Sequence, residues 1–165
     1  MDSIELLRDH LAKSTERVLA KVEEMADHCL VPPTPNGGGH TLWILGHLAY
    51  IEALVIRGFL QGEVNPLAAW EETFDGTDVA TDADRFPPFA EVLAACRDQR
   101  ARTMALLATL TEADLDRPSA AAPEGHDATF GTWRLCFQFV ADHWYMHRGQ
   151  LADSRRAAAI DRMGF

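Results

Sequence analysis

Cys136–Leu151, CFQFVADHWYMHRGQL, sets two histidines, His143 and His147, four residues apart in a half-apolar run that reads as helix. On an α-helix, positions i and i+4 share one face about one turn apart, so both imidazoles can converge on one ion. A bare H-x3-H spacing more often belongs to a surface or core helix that happens to carry two histidines. Here the face changes the balance. Trp133, Cys136, Phe137, Val140 and Leu151 recur at three- and four-residue intervals, and His143 and His147 continue that stripe. A buried neutral imidazole has two ring nitrogens to satisfy, and a metal satisfies one of them on each ring. Otherwise polar partners must serve both, and the neighbouring positions offer Asp142, Arg148 and Gln150. Cys136 lies about 10 Å up the same helix from His143 and reads as core.

Working outward, Thr41–Leu60, TLWILGHLAYIEALVIRGFL, carries Glu52 and Arg57 as its charged residues and reads as a central helix. His47 stands in the middle of it. Alone it reads as a core histidine bonded to a carbonyl. With His143 and His147 on another buried face, a three-histidine metal site is the better account. His40, at the helix mouth, reads as a loop residue near the site.

Ser3–Cys29 reads as a first helix, capped by Ser3 and striped by Ile4, Leu7, Leu11, Val18, Val22 and Met25, with His10 and His28 toward solvent. VPPTPNGGG then breaks the chain before the second helix. Gln61–Pro87 is a long connection without clean periodicity, of the kind that often serves as a lid or binding loop. Trp70, Phe74 and Phe86 are placed to pin it, and Asp75, Asp78, Asp82 and Asp84 make it acidic. Pro87 and Pro88 precede a third helix, Phe89–Leu110, with Val92, Leu93, Cys96, Met104 and Leu107 inside. Thr111–Asp114 reads as a capped short turn and Arg117–Ala128 as a link. The fourth helix begins at Asp127 or Thr129 and runs to about Arg155, and the tail RRAAAIDRMGF is able to continue it. No alternating β-branched run and no repeat appears, so Met1–Phe165 reads as one all-α domain, a four-helix bundle with a long connection between helices two and three.

Fifteen basic against twenty-five acidic residues give a net charge of −10, which disfavours nucleic-acid and anionic-membrane partners. Met1–His10 has neither the basic start nor the apolar run of a signal peptide, and no uninterrupted apolar window reaches membrane-span length, so a cytoplasmic location is expected. Three separated cysteines, Cys29, Cys96 and Cys136, suit reduced thiols better than a disulfide framework.

LGHLAYIEALV around His47, the long second connection, LTEADLDRP before the last helix, and HWYMHRGQLADSRR around His143 and His147 together resemble the DinB-like four-helix-bundle metalloproteins. That superfamily includes thiol-dependent S-transferases and mycothiol-dependent maleylpyruvate isomerase. The resemblance covers nearly the whole chain. It implies a bundle, commonly a homodimer, with one divalent metal ion held by His47, His143 and His147. Histidine at all three positions is similar to the bacillithiol-transferase-like branch; the isomerase branch has glutamate at the position matching His143. Imidazole suits zinc, nickel, copper and iron alike, so the ligand set does not name the metal.

Three imidazoles leave an ion at least one open position, where a thiol or water loses its proton more readily. The implied activity is thiol S-transfer, in which a low molecular weight thiol attacks an electrophilic substrate; hydrolysis by a metal-activated water is the related alternative. A metal-binding stress or interaction protein that turns nothing over, and a metal-free bundle with hydrogen-bonded core histidines, also stand. No general base stands out. Glu52 and Asp142 are turned off the histidine faces and read as salt-bridge or supporting groups. Trp144 and Tyr145 read as packing residues, and Arg148 as a solvated arginine able to meet an anion.

Overall fold

The structure, a computed structural model, describes residues 2–76 and 79–161. Its main helices are α1 (Ser3–Leu19), α2 (Thr41–Ala53), α4 (Phe89–Ala108) and α6 (Trp133–Ala157), with two short ones, α3 (Glu71–Phe74) and α5 (Asp127–Phe130). α2 packs on α4 and α1 on α6, while α2 also meets α6 and α1 meets α4, which closes a four-helix bundle. No strand occurs among the described residues.

α1 starts one residue earlier than the sequence suggests. Asp2 accepts from the Glu5 backbone N–H, Glu5 reaches back to the cap, and the two form a capping box. The helix also ends early. Lys21 adopts a left-handed conformation (φ 57°), and Val22–His28 follows as a 3-10 segment. The apolar stripe hid this break because Val18, Val22 and Met25 are buried on both sides of it. The buried guanidinium of Arg155 holds the turn, donating to the carbonyl of Lys21 at 2.9 Å and pairing with Glu24 at 2.6 Å.

α2 passes without interruption into a π-helical stretch, Leu54–Leu60. Taken together, Thr41–Leu60 is long and apolar enough to cross a membrane, but 67% of that window is buried inside the bundle, as a central helix requires. The long connection is partly helical rather than irregular: Ala68–Trp70 and α3, then Ala83–Arg85, each form a turn. Phe74 is fully buried and its ring meets Trp70 and Phe86 at 5.0 and 5.7 Å, so the three aromatics pin the connection as expected. Asp75, Asp82 and Asp84 are exposed; Asp78 lies outside the described residues. The fourth predicted helix is two elements. α5 stops at Gly131, and Thr132 caps a fresh start for α6, which ends at Ala157; the last four residues of the tail also lie outside the described residues.

A charged pair is buried between α2 and α4. Arg100 donates to Glu52 Oε2 through Nε at 3.1 Å, with Nη2 2.9 Å away, and both side chains are almost inaccessible. Nη1 donates to the Leu11 carbonyl and to Ser14 Oγ on α1, each at 3.4 Å, and the guanidinium lies 3.8 Å over the Trp144 ring of α6. Burial pushes the Glu52 carboxyl above its ordinary range, while Arg100, Thr103 and Trp144 pull it back. One side chain thus ties all four main helices together. Apolar periodicity marks the inner residues of α4 but gives no sign that Gln99, Arg100 and Thr103 are buried beside them. Arg100→Met is expected to cost about 3–5 kcal/mol in urea unfolding by stranding Glu52, and the Glu52→Gln/Arg100→Met double variant to recover most of that loss. Equal losses in both would show that the pair itself is not what matters.

Candidate metal centre

Midway along α2, His47 faces His143 and His147 one turn apart on α6. The three rings meet edge-on, with centroids 4.6 to 5.0 Å apart. His143 Nε2 lies 3.2 Å from His47 Nε2 and 3.0 Å from His147 Nε2, and the three ligand atoms all fall within 4.8 Å of one another. Adjacent nitrogens bound to one ion by bonds of ~2.0–2.1 Å stand ~2.9–3.4 Å apart, so both short separations fit shared coordination.

The outer nitrogens explain why the inner ones are available. His47 Nδ1 lies 2.6 Å from the Phe74 carbonyl, which can only accept, so Nδ1 carries the proton and Nε2 the lone pair. His147 Nδ1 likewise donates to Gln150 Oε1 at 2.7 Å. Of the three sequence neighbours offered as partners, Gln150 fills the role. Two lone pairs therefore point at His143 Nε2. A single proton there serves both imperfectly, whereas a cation satisfies all three nitrogens.

Burial first, then the neighbouring His147, His47 and Arg100, hold the His143 imidazole down to about 3. Burial and then His47 hold His147 down to about 4. His47 is lowered by burial, with the Phe74 carbonyl and Asp75 acting the other way. All three are neutral at pH 7, the state a metal ligand needs. Trp43 stacks on His47 at 4.5 Å and 11°, and Phe139 on His143 at 5.4 Å and 14°, so aromatic faces fix two of the rings.

Phe74 reaches His47 because residue 46 is glycine. A Cβ on Gly46 would stand 2.1 Å from Phe74 Cε1, inside the ring's own position. Sequence reasoning missed both the Phe74 carbonyl and this glycine, although a glycine inside an apolar helix is itself a signal of close packing. His40 is more than a loop residue near the site. It is buried and caps α2: Nδ1 accepts from the Trp43 backbone N–H at 3.1 Å, and Nε2–H donates to the Ala80 carbonyl at 2.8 Å. His10 is half-buried beside Tyr145, 5.0 Å between ring centroids, rather than turned to solvent. Glu52 belongs to the Arg100 pair, Arg148 is half-buried, and Asp142 is exposed. Cys136 is buried core, and all three cysteines are free thiols.

Against α6, on the side of His143, lies a cavity of about 380 Å³ between α5 and α6. Leu135, Phe139 and Met146 supply its apolar walls, Gln138 and Thr129 its polar ones, and Asp142 its charge.

A sequence profile described as the DinB superfamily matches residues 10–151, a span that contains all three histidines. Comparison with curated proteins finds no match.

Gly46→Ala is expected to displace the Phe74 ring and cost about 1–3 kcal/mol in thermal or urea unfolding, a loss that Phe74→Leu in the same chain partly relieves; additive losses would mean that the two do not collide. His40, His47, His143 and His147 are all held below the free histidine value, so the unfolded chain binds more protons than the folded one. Their contribution to stability is complete above ~6.5 and is lost as pH falls toward the folded values. Urea unfolding of chelator-stripped protein at about pH 7.5 and about pH 5.5 should show that fall, and His143→Gln/His147→Gln should flatten it. The same slope in wild type and double variant would remove the histidines as its source.

Proposed function

The chain belongs to the DinB superfamily, and with the three-imidazole cluster as second premise we propose a metal-dependent enzyme of the thiol S-transferase type. His47, His143 and His147 are the ligands of one divalent cation, and a low molecular weight thiol is a co-substrate. The observation that carries the reading is the convergence of three Nε2 atoms, two of them with their outer nitrogens committed to carbonyl acceptors.

His47, His143 and His147 would hold the cation as neutral imidazoles, and the bound cation would supply Lewis acidity that eases loss of a proton from a thiol or water. The protein's own contribution is orientation. The Phe74 carbonyl and the Gln150 amide set which nitrogen of His47 and His147 faces inward, while Trp43 and Phe139 keep water off two ring faces. In the net reaction the thiol proton passes to solvent, a carbon–sulfur bond forms, and the leaving group departs with its electron pair. Three histidines rather than two and a glutamate favour the bacillithiol-transferase-like branch of the superfamily, with zinc, nickel or iron as the metal. The same reading takes the protein as a cytoplasmic homodimer, and its net charge of −10 argues against nucleic-acid partners.

Protein purified without a histidine tag is expected to carry stoichiometric divalent metal and His143→Ala/His147→Ala none, while Gln150→Leu should weaken metal affinity roughly 10–100-fold. Metal-loaded protein given monochlorobimane with glutathione, bacillithiol or mycothiol should form a conjugate with at least one thiol, and the double variant should not. Bound metal with no conjugation by any thiol would leave a sequestering protein; absence of metal would end the proposal.

A further inference from the structure

The cavity between α5 and α6 is a second chemical environment against the histidine cluster. His143 forms part of its lining, so this side chain is shared between the cluster and the cavity. Its volume, about 380 Å³, is that of a small-molecule site. Phe139, in the lining, stacks on His143 and meets Phe130 at 4.8 Å, and Phe130 in turn meets Phe59 at 5.1 Å. Met146, 61% exposed, supplies a pliable apolar edge. Among the described residues of the lining, the Asp142 carboxylate is the one charge, and no lysine or arginine faces the space.

We infer that this cavity binds a planar, apolar co-substrate that is neutral or cationic, held against Phe139 with its reactive end toward His143. The assignment rests on the thiol-transfer reading for its chemistry, since it makes the occupant the electrophile rather than the thiol. Binding itself requires only the cavity. Phe139, Leu135 and Met146 reward flat carbon surface, and Asp142 repels a carboxylate while favouring an ammonium. A thiol bearing carboxylates finds no cationic partner in this lining, so it must approach the histidines from elsewhere. Phe139 is the specificity-determining residue, and Asp142 sets the charge preference.

Three naphthalene probes of one shape separate these terms: 1-naphthylmethanol, 1-naphthylmethylammonium and 1-naphthoate, titrated into the full chain by calorimetry, with metal content measured alongside. The first two should bind roughly tenfold or more tighter than the carboxylate. Phe139→Leu should weaken 1-naphthylmethanol by roughly fivefold. Ala128→Trp, which fills the cavity from the exposed short helix, should abolish its binding, and Asp142→Asn should remove the advantage of the ammonium, both without loss of metal. Naphthoate binding as tightly as the others, or 1-naphthylmethanol binding unaffected by Ala128→Trp, overturns the inference. Probe binding of the expected pattern in a protein that conjugates no thiol sinks the transferase reading and leaves the cavity assignment standing.

Discussion

His47 can turn a lone pair toward α6 only because the carbonyl of Phe74 takes the proton of its other nitrogen, at 2.6 Å. An imidazole packed into a bundle has two nitrogens and little water to fall back on, so each needs a partner. For His47 and His147 the protein satisfies the outer nitrogen with a carbonyl or amide oxygen and leaves the inner one facing its neighbours. The arrangement makes the connection between α2 and α4 part of the site. Phe74 is held by burial of its own ring over Gly46, so packing energy in the connection is converted into the orientation of an imidazole on α2.

The same helix carries a second buried polar centre with the opposite electrostatic character. Five residues beyond His47, Glu52 meets Arg100 as an ion pair, cut off from solvent and bonded onward to α1. Its geometry fastens the bundle. Its positive member also reaches His143, where it adds to burial in keeping that ring unprotonated. One centre is charged and structural, while the other is neutral and has lone pairs to offer. The cation that satisfies Glu52 disfavours a second cation formed by protonating an imidazole.

Much of this was readable before any coordinates. The helical recurrence of apolar residues located the four main helices and placed His143 and His147 on the buried stripe, and an interrupted apolar run marked His47. Gln150 was among three named partners for a buried imidazole. The breaks were not readable. Val22 and Met25 keep the apolar rhythm through the left-handed turn at Lys21, and Gly131 sits between two segments that both favour helix. Arg100 cannot be placed from its own helix, because nothing near it in the chain announces Glu52, which lies on another helix.

The sequence by itself determined the class of fold and the three imidazoles, because a 3.6-residue period is a local property and histidine's chemistry travels with the residue. Tertiary structure alone decided which nitrogen of each ring faces inward, which carbonyl holds His47, and that a cavity opens beside His143. Those outcomes depend on the register between α2 and α6 and on a backbone oxygen from a distant loop. A carbonyl is the same at every position of a chain, so only packing can single one out.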